Sequence, residues 1–409
     1  MSPRCSPEPV KDSTSVAWSS PAYERFNRFS SRSVVSLTAT VHGPVPRRAA
    51  ISGTVAARVS TCRMKAGGAG ARTALTTSTS NAACSATRCK VNPLQSRSVR
   101  ILVTGGAGFI GSNVVDAYVA AGHEVAVLDN FSTGRQENVN DAAQLHRVDL
   151  RDQPEVQKAV AAFRPEVVNH HAAQSEVPKS VADPAYDAHV NIIGGLNLLK
   201  ACVDNGVKKV IFSSTGGALY GEPDIVPAAE DHPVRPLSPY GTSKFAFEQY
   251  LGTFQRTFGL PYTVLRYANI YGARQDFAAE EGRVVAIFAS RMLEGRPVTI
   301  DGDGEQSRDM LHVGDVAAAN LAALDQGAGG TFHVSTGIAV TVNDLYRKIA
   351  LLTDYQHEPK FGPARKGDVY RIALDNARAK EGLGWEPQVS LEEGLSLTVD
   401  YFREQVKQA

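Results

Sequence analysis

A tyrosine and a lysine stand four residues apart in the segment SPYGTSK, as Tyr240 and Lys244. In a helix, this spacing places both side chains on one face, where they could act together. The tyrosine phenol is a weak acid with an ordinary pKa near 10, but a neighbouring ammonium favours the phenolate. The pair could therefore provide a general base, although a surface Tyr and Lys on an amphipathic helix would show the same spacing.

A glycine-rich stretch, VTGGAGFIGSNVVD at 103–116, follows a short apolar run and opens a helical pattern. Its glycines fit two registers, Gly106-x-Gly108-x-x-Gly111 and Gly105-x-x-Gly108-x-x-Gly111. Such a turn lets backbone N–H groups approach a pyrophosphate at the positive end of the following helix. The stretch therefore predicts a dinucleotide-binding loop.

An acidic residue, Asp129, ends the next predicted strand, eighteen residues after Gly111. A carboxylate there accepts hydrogen bonds from the adenosine ribose and repels a 2′-phosphate, which favours NAD over NADP. Arg135, a few residues further on, keeps NADP open as an alternative. The positive nicotinamide ring would add to the effect of Lys244 in favouring the Tyr240 phenolate. The loop thus makes the tyrosine–lysine pair a candidate active site.

Short apolar runs alternate with helical patterns from Val99 onward. Strands are predicted at 99–104, 124–129, 144–148, 166–170, 208–213 and 262–266, and helices at 109–121, 154–163, 186–205 and 240–258. This alternation indicates an α/β fold, a Rossmann-type doubly wound parallel sheet that spans 99–265. Ligand crevices in such sheets lie at the carboxyl ends of the strands, where the glycine loop and the SST of 213–215 would meet.

The pattern becomes less regular after Leu265. The segment 272–312 is predicted to be rich in loops, and helices are predicted near 314–326, 341–352 and 391–403, with short strands between them. We expect a smaller α/β C-terminal lobe at 266–409 that binds the substrate and returns in part to the Rossmann core.

The first 98 residues have a different composition, rich in Ser, Thr, Ala and Arg. They hold 14 Lys and Arg against three acidic residues, a net charge of +11, so the remainder carries −10. Such a segment buries too little apolar surface to fold and is typical of organelle transit peptides. We expect a disordered leader at 1–98, with plastid favoured and mitochondrion or cytoplasm open. The absence of about twenty consecutive apolar residues argues against a membrane span.

Metal and disulfide chemistry have little support. Four of the five cysteines lie in the leader, and the fifth, Cys202, falls in the apolar pattern of a helix, as a buried core residue would. His170 and His171 are adjacent on a predicted strand, so their side chains should point to opposite faces and make a poor chelate. We expect no metal.

Several short motifs combine into one pattern. They are the glycine loop in its Gly105-x-x-Gly108-x-x-Gly111 register, Asp129, VDL at 148–150, NHHAA at 169–173, Asn191, SST at 213–215 and Tyr240-x-x-x-Lys244. In this combination the chain resembles the extended short-chain dehydrogenase/reductase superfamily over roughly residues 99 to 405. Within that superfamily it is similar to the NAD-dependent nucleotide-sugar epimerases of the UDP-glucose 4-epimerase type.

The resemblance implies roles for the residues at matching positions. Tyr240 would be the catalytic base and Lys244 its electrostatic partner, while either Thr215 or Ser214 would supply a hydroxyl that bridges to the sugar. The sequence SSTGGALYG departs from the more usual SSSATVYG, which leaves that choice open. The implied NAD site comprises Gly105, Gly108, Phe109, Ile110, Gly111, Asp129, Asn130, Asp149, Leu150, Ala172, Ala173, Asn191, Tyr240 and Lys244.

The resemblance also implies a UDP-sugar site in the second lobe. Its residues would be Asn269, Arg308, Arg365 and Asp368. Two guanidinium groups can make bidentate contacts to the diphosphate oxygens. Asp301 stands where an aromatic residue often faces the uracil, and Ile372 where bulky residues tend to exclude N-acetylated sugars. The intermediate size of isoleucine favours glucose and galactose and leaves uronate, pentose and N-acetylhexosamine sugars open.

The implied reaction is 4-epimerisation through a transient 4-keto sugar, with Tyr240 taking the proton of the 4-hydroxyl and NAD accepting and returning a hydride. Dehydratases of the superfamily need an acid near the hydroxyl-bearing strand, whereas Gly216, Gly217 and Ala218 follow Thr215 here. The alternative from a different class is a non-catalytic plastid relative that binds RNA or acts as a scaffold. The −10 charge and the intact motifs argue against nucleic acid as a partner.

A homodimer is expected. The predicted helices 186–205 and 240–258 carry apolar residues beyond what one sheet face needs, namely Ile192, Leu196, Leu199, Phe245, Tyr250 and Leu251. The resemblance implies that these two helices pair with their counterparts in a second copy.

Overall fold

The computed structural model describes residues 97–276, 284–364 and 369–408. The predicted leader at 1–98 lies outside the described residues apart from Arg97 and Ser98. The strands are β1 (Arg100–Thr104), β2 (Glu124–Asp129), β3 (Gln144–Arg147), β4 (Val167–His170), β5 (Lys209–Thr215), β6 (Tyr262–Tyr267), β7 (Asn269–Tyr271), β8 (Thr299–Asp301), β9 (Ser307–His312), β10 (Thr331–Val334), β11 (Ala339–Thr341) and β12 (Lys360–Gly362). The helices are α1 (Phe109–Ala120), α2 (Gln153–Phe163), α3 (Val177–Ala182), α4 (Pro184–Ala188), α5 (Gly195–Asp204), α6 (Pro239–Phe258), α7 (Val284–Leu293), α8 (Val313–Asp325), α9 (Val342–Thr353), α10 (Ala377–Leu383) and α11 (Leu391–Gln408).

Seven parallel strands form the main sheet in the order β10-β6-β5-β4-β1-β2-β3. The strand order reverses direction between β1 and β4, which is the topological switch point where open α/β sheets bind ligands. The six strands predicted for the first lobe are all present, and the predicted doubly wound parallel sheet is confirmed. Its seventh strand, β10, comes from the second lobe and adds to the edge of the sheet beside β6.

Both faces of this sheet are buried under helices. Ile101 and Val103 of β1 pack into a cluster with α1, α8 and α10, while Leu102 between them packs into a second cluster with α2, α5 and α6. Successive side chains on a strand point to opposite faces, so a continuous apolar run satisfies both clusters. Cys202 is fully buried in the second cluster, as predicted.

The second lobe is built on a three-stranded sheet, β11-β9-β7, and a two-stranded sheet, β12-β8. A third apolar cluster joins these strands to α7, α9 and α11. The prediction that 272–312 is rich in loops is wrong, because this span contains β8, β9 and the ten-residue helix α7. Six of the ten α7 residues are buried, so the sequence VVAIFASRML lacks the polar face by which helices are recognised.

The helix predicted at 186–205 is observed as three consecutive pieces. A π-helical segment, His189–Gly194, separates α4 from α5. Such segments widen a helix locally and often occur at functional sites. The segment contains Asn191 and brings it to the inside of the fold, where the residue is buried.

The apolar residues expected at a dimer face have mixed positions. Leu199 and Leu251 are fully buried in the second core cluster, so their assignment to an external face is wrong. Tyr250 is 40% exposed, and Ile193, on the π-helical segment, is 46% exposed. Among the described residues, no helix has the length and apolar character needed to cross a bilayer.

Candidate active site

The glycine-rich loop connects β1 to α1 in a turn with very little free space. Gly105 has a φ of 69°, and a Cβ there would lie 2.6 Å from the Ala172 backbone nitrogen. A Cβ on Gly111 would lie 2.2 Å from the Gly105 carbonyl oxygen. Gly108 is the N-cap residue, directly before the first residue of α1, and no described side chain caps the first turn of that helix. The geometry supports the Gly105, Gly108, Gly111 register and leaves the helix N–H groups for an anion such as a diphosphate.

Asp129, at the end of β2, braces this loop. Its Oδ2 accepts a hydrogen bond from the Ala107 N–H at 3.0 Å, and its Oδ1 accepts one from the Phe131 N–H at 2.8 Å. Arg135, which kept NADP open, directs its guanidinium toward the carboxylates of Asp276, at 3.2 Å, and Glu137, at 3.8 Å. Arg135 is thus paired with two carboxylates, and Asp129 ends β2 where the adenosine ribose would bind, an arrangement that suits NAD.

The predicted adenine residues lie next to one another. Asp149 accepts hydrogen bonds from the Arg151 guanidinium at 2.8 and 3.0 Å and from the Asn130 side chain at 2.9 Å. These contacts hold the pKa of Asp149 well below its usual range, with the Arg151 hydrogen bond as the largest cause. Leu150 is buried in the second core cluster beside them. At the other end of the loop, Phe109 and Ile110 open α1 and are partly buried.

Asn191 fixes the chain where it leaves β4. Its Oδ1 accepts from the Gln174 N–H at 2.9 Å and its Nδ2 donates to the Gln174 carbonyl oxygen at 3.0 Å. The same Nδ2 lies 3.2 Å from the Ser243 hydroxyl on α6. This amide therefore ties the segment that carries Ala172 and Ala173, both partly exposed, to the helix that carries Tyr240.

Tyr240 and Lys244 lie in the first two turns of α6. That helix begins at Ser238, whose hydroxyl accepts from the Gly241 N–H at 3.2 Å, with Pro239 in its first turn. Lys244 is 4% exposed, its Nζ donates to the Ser213 carbonyl oxygen at 2.9 Å, and it lies 6.0 Å from the centre of the Tyr240 ring. The predicted placement of the pair on one helix face is confirmed.

The prediction that Lys244 and the nicotinamide ring together favour the Tyr240 phenolate concerns the site with its cofactor bound, and it stays a prediction. Burial raises the pKa of Tyr240 above its ordinary value, and the Asp187 carboxylate raises it further, whereas the Thr215 hydroxyl lowers it. Burial also lowers the pKa of Lys244, to about 8, against the opposing charges of Asp187 and Glu248. Burial is therefore the largest influence on the pKa of both groups.

The three hydroxyls of the SST segment have three different partners. Ser213 lies within hydrogen-bonding range of the Tyr267 phenol. Ser214 donates to Glu248 Oε1 at 2.5 Å and is buried. Of the two candidates for the bridging hydroxyl, only Thr215 lies beside the Tyr240 phenol. Tyr240, Lys244 and Thr215 thus converge at the carboxyl end of β5.

Two charged groups near this point were not predicted from the sequence. Asp187 on α4 is 1% exposed, and one carboxylate oxygen accepts from Gln174 and Asn191, at 2.9 and 3.1 Å. Glu248 lies four residues after Lys244, on the buried face of α6, and pairs with Arg266. A glutamate on an otherwise apolar helix face and an arginine within the strand sequence YTVLRY are the signals that could have revealed this pair.

The predicted substrate residues of the second lobe lie on neighbouring strands. Asn269 begins β7, which pairs with β9, the strand that carries Arg308. A Cβ on Gly217 would lie 3.4 Å from Asn269 Oδ1, so Asn269 faces the segment that follows Thr215. Arg308 is partly exposed and its Nη1 donates to the Ser307 carbonyl oxygen at 3.0 Å. The predictions for Arg365 and Asp368 fall on residues outside the described ranges.

The two positions expected to influence the substrate also have defined surroundings. Ile372 is 1% exposed and packs in a small apolar cluster with Leu219, Tyr220 and Leu374. Asp301 ends β8, and its carbonyl oxygen accepts from the Gln306 side chain at 2.6 Å.

The two adjacent histidines lie on opposite faces of the sheet, as predicted. His170 stacks on Phe212 and shares a 2.7 Å hydrogen bond with the Thr104 hydroxyl. His171 stacks on Tyr267, on the other face. Within the described ranges, no group of three or more His, Cys, Asp or Glu side chains is arranged to hold a metal ion.

Residues 101–335 match the model of the NAD dependent epimerase/dehydratase family. The chain is similar to the crystal structure of Thermotoga maritima UDP-glucose 4-epimerase with UDP-glucose, with 52% identity, a TM-score of 0.74, and coverage of 75% of this chain and 99% of that one. It is also similar to the Thermus thermophilus UDP-glucose 4-epimerase in complex with NAD, with 48% identity, a TM-score of 0.71, and coverage of 74% and 99%. The UDP-glucose 4-epimerase of Mycolicibacterium smegmatis is 44% identical over 75% of this chain and 99% of its own length.

Proposed function

The chain belongs to the NAD-dependent epimerase/dehydratase family, and we propose that it is an isomerase that interconverts UDP-glucose and UDP-galactose by inverting C4 of the sugar. The observation that carries the proposal is the convergence of Tyr240, Lys244 and Thr215 at the carboxyl end of β5. The relatives named UDP-glucose 4-epimerase, which this chain matches over almost their entire length, support the same reaction.

The site fits NAD on its own geometry. The tight turn at Gly105 and Gly111 and the uncapped start of α1 would receive the diphosphate, and Asp129 lies at the end of the next strand, where the adenosine ribose would bind. Bound NAD would supply the hydride acceptor and donor for the sugar C4.

The residues of this chain would handle the proton of the sugar 4-hydroxyl. Tyr240 removes that proton during oxidation and returns it during reduction, while Thr215 donates a hydrogen bond that favours the phenolate. The buried Lys244 holds a positive charge near the phenol, 6.0 Å from its ring centre. Anchoring at the diphosphate, with a loose grip on the sugar, would let the keto sugar turn between the two steps.

The surroundings of Thr215 favour epimerisation over dehydration. Gly216, Gly217 and Ala218 follow it and carry no acid. The nearest acidic residue on α6, Glu248, accepts hydrogen bonds from Arg266 and Ser214 and is 6% exposed. A carboxylate held in this way is a poor acid for eliminating a hydroxyl group.

The sugar itself is proposed from Ile372 and Gly217. Isoleucine at 372 is of intermediate size and is buried beside Leu219 and Leu374, which favours the unsubstituted glucose and galactose over N-acetylated sugars. A uronate, a pentose or an N-acetylhexosamine is the alternative substrate, because Gly217 carries no side chain beside Asn269. Arg308 and Asn269 would bind the diphosphate, with Arg365 and Asp368 as further candidates.

We also propose that the protein is a homodimer and that 1–98 directs it to an organelle, with plastid favoured. Exposed apolar residues on α3, the π-helical segment and α6 support the dimer, namely Val177, Val181, Ile193 and Tyr250. If this face is the interface, Ile193→Asp should convert the protein from a dimer to a monomer, as measured by analytical ultracentrifugation. Fluorescent fusions with and without 1–98 would test the targeting.

The decisive experiment is to incubate the purified protein with UDP-galactose and to measure UDP-glucose, with no cofactor added. We expect turnover, and we expect Tyr240→Phe to retain bound NAD while losing nearly all of the rate. Failure to convert any UDP-sugar despite bound NAD would refute the proposed function.

A further inference from the structure

A buried ion pair lies directly behind the catalytic end of β5. Glu248 of α6 accepts hydrogen bonds from Arg266 Nε at 3.1 Å and from Arg266 Nη2 at 2.6 Å. Its Oε1 also accepts from the Ser214 hydroxyl at 2.5 Å. Ser214, Glu248 and Arg266 are between 3% and 6% exposed. The three side chains therefore form a closed polar cluster between β5, α6 and β6.

The cluster continues into the second lobe. Arg266 Nη1 donates to the Tyr220 hydroxyl at 2.6 Å, and that hydroxyl lies 2.6 Å from His333 Nε2 on β10. His333 Nδ1 lies 3.0 Å from the Asp375 carbonyl oxygen. The Asp375 carbonyl oxygen can only accept, so His333 Nδ1 donates to it. Burial lowers the pKa of His333 to about 3, so the ring is neutral and its Nε2 accepts from the Tyr220 hydroxyl, which itself accepts from Arg266. Each hydrogen bond between Arg266 and Asp375 therefore has a defined donor and acceptor.

A cluster of this kind contributes little net stability. Removing two charges from water costs about as much as their attraction returns, and an apolar pair of similar size would often be equally stable. We therefore attribute the presence of this buried cluster to the positioning of neighbouring side chains and not to stability. Among the residues of the cluster, Ser214 is the one that directly precedes the proposed catalytic residue Thr215.

Ser214 and Thr215 are the last two residues of β5. Adjacent side chains leave a strand in opposite directions, so the direction of Ser214 sets that of Thr215. With Ser214 bound to Glu248, the Thr215 hydroxyl is directed to the Tyr240 phenol. Loss of that bond would remove the side-chain restraint on Ser214 and leave the position of Thr215 to its backbone pairing with Tyr267 alone.

We propose that Glu248, held in place by Arg266, is a positioning residue for the reaction, which fixes Ser214 and thereby keeps the Thr215 hydroxyl against Tyr240. The proposal rests on the epimerase function proposed above. It assigns Ser214 a supporting role and leaves Thr215 as the hydroxyl that meets the substrate.

The test compares two variants of the full chain, Ser214→Ala and Glu248→Gln. Ser214→Ala removes only the hydroxyl, and Glu248→Gln keeps the shape of the side chain but loses its charge. A displacement of about 1 Å at a reacting group lowers a rate by roughly a hundredfold. We expect kcat for UDP-galactose to fall by about ten- to a hundredfold in both variants, with KM changed less than about twofold.

Leu251→Ala is the matched control, because Leu251 is a buried residue one turn further along α6 that packs in the second apolar cluster and has no polar side-chain atom. It should lower the melting temperature at least as much as Ser214→Ala while kcat stays near that of the wild type. Amide hydrogen exchange gives a readout without turnover. The Gly216 N–H, which donates to the Tyr267 carbonyl oxygen at 2.7 Å, should exchange faster in Ser214→Ala and Glu248→Gln than in Leu251→Ala.

A third comparison uses a Thr215→Ala background. If Glu248 acts through Thr215, Glu248→Gln should cause no further loss of kcat there, while its effect on the melting temperature should persist. An unchanged kcat in Ser214→Ala would overturn the proposal, even if Glu248→Gln fails to fold. A wild-type protein without epimerase activity would instead refute the proposed function, so the two failures are distinguishable.

Discussion

Replacing Gly111 by alanine should weaken the binding of NAD and also destabilise the fold. The added Cβ would lie 2.2 Å from the Gly105 carbonyl oxygen and 2.9 Å from the Gly105 carbonyl carbon. Ordinary contacts to a Cβ begin at 3.4 Å, and both neighbours are backbone atoms that no side-chain rotation can move. The start of α1 must therefore shift away from the loop by roughly 1 Å.

The expected loss of affinity follows from that shift. Hydrogen bonds from the amides of α1 to a diphosphate weaken steeply when the donor–acceptor distance grows beyond about 3.2 Å. A hydrogen bond to a charged group is worth about 1.5–3 kcal/mol. Losing one such bond, or weakening two, costs about 2–4 kcal/mol, which raises the dissociation constant of NAD by roughly 30- to 700-fold. The overpacking should also lower the free energy of unfolding by about 1–3 kcal/mol.

The assay is calorimetric titration of NAD into protein freed of cofactor, together with thermal unfolding of the same samples. Gly252→Ala is the matched control, because its Cβ would meet the end of the flexible Arg256 side chain at 3.3 Å and the Tyr262 hydroxyl at an ordinary 3.7 Å, with no backbone atom in the way. That substitution lies inside α6 and should stabilise the protein by up to about 1 kcal/mol without changing the NAD affinity. An NAD dissociation constant for Gly111→Ala within threefold of the wild-type value would refute the reasoning.

Three further predictions concern the catalytic groups and the sugar. Burial lowers the pKa of Lys244 to about 8, so the ammonium is lost and kcat should fall as the pH rises through that value. Lys244→Arg should remove this alkaline limb from the pH profile of kcat, because arginine stays protonated. Asp187→Asn removes a negative charge that raises the pKa of both Tyr240 and Lys244, so both limbs of the profile should move to lower pH, and superimposable profiles would contradict this. Ile372→Ala should lower the free energy of unfolding by about 2–5 kcal/mol, because it removes a buried side chain. It should also raise kcat/KM for N-acetylated UDP-sugars relative to kcat/KM for UDP-galactose. If the ratio of these two kcat/KM values is unchanged, Ile372 does not select the sugar.

The elements that follow a single simple pattern could be predicted from the sequence. The strand predicted at 124–129 is observed as Glu124–Asp129, because it is a short apolar run with turns on both sides. The helix predicted at 240–258 is observed as Pro239–Phe258, because Ser238 and Pro239 mark its start and Gly259 its end. Helix α7 could not be predicted in this way, since its sequence VVAIFASRML is apolar apart from Ser290 and Arg291 and offers no polar face to mark the helical period.

The identity of the proposed catalytic residues could be predicted from the sequence, but the charges and hydrogen bonds that surround them could not. Tyr240 and Lys244 are four residues apart, which is enough to place them together. The balance between burial and charge that sets the pKa of Tyr240 depends on Asp187, which approaches from a different helix. The choice between Ser214 and Thr215 likewise depends on Glu248, through a contact that spans 34 residues of sequence. Such properties arise only when distant segments meet.

The late position of β10 has a consequence for synthesis of the protein. Strand β6 is complete at Tyr267, but its outer edge is covered only when Thr331–Val334 has been made. During that interval the growing chain presents an open strand edge, the kind of surface through which nascent chains associate wrongly. The family match ends at residue 335, one residue beyond this strand. The shortest segment able to form the complete seven-stranded sheet therefore extends well past the last predicted Rossmann strand, and a ribosome-bound chain shorter than this should depend on chaperones.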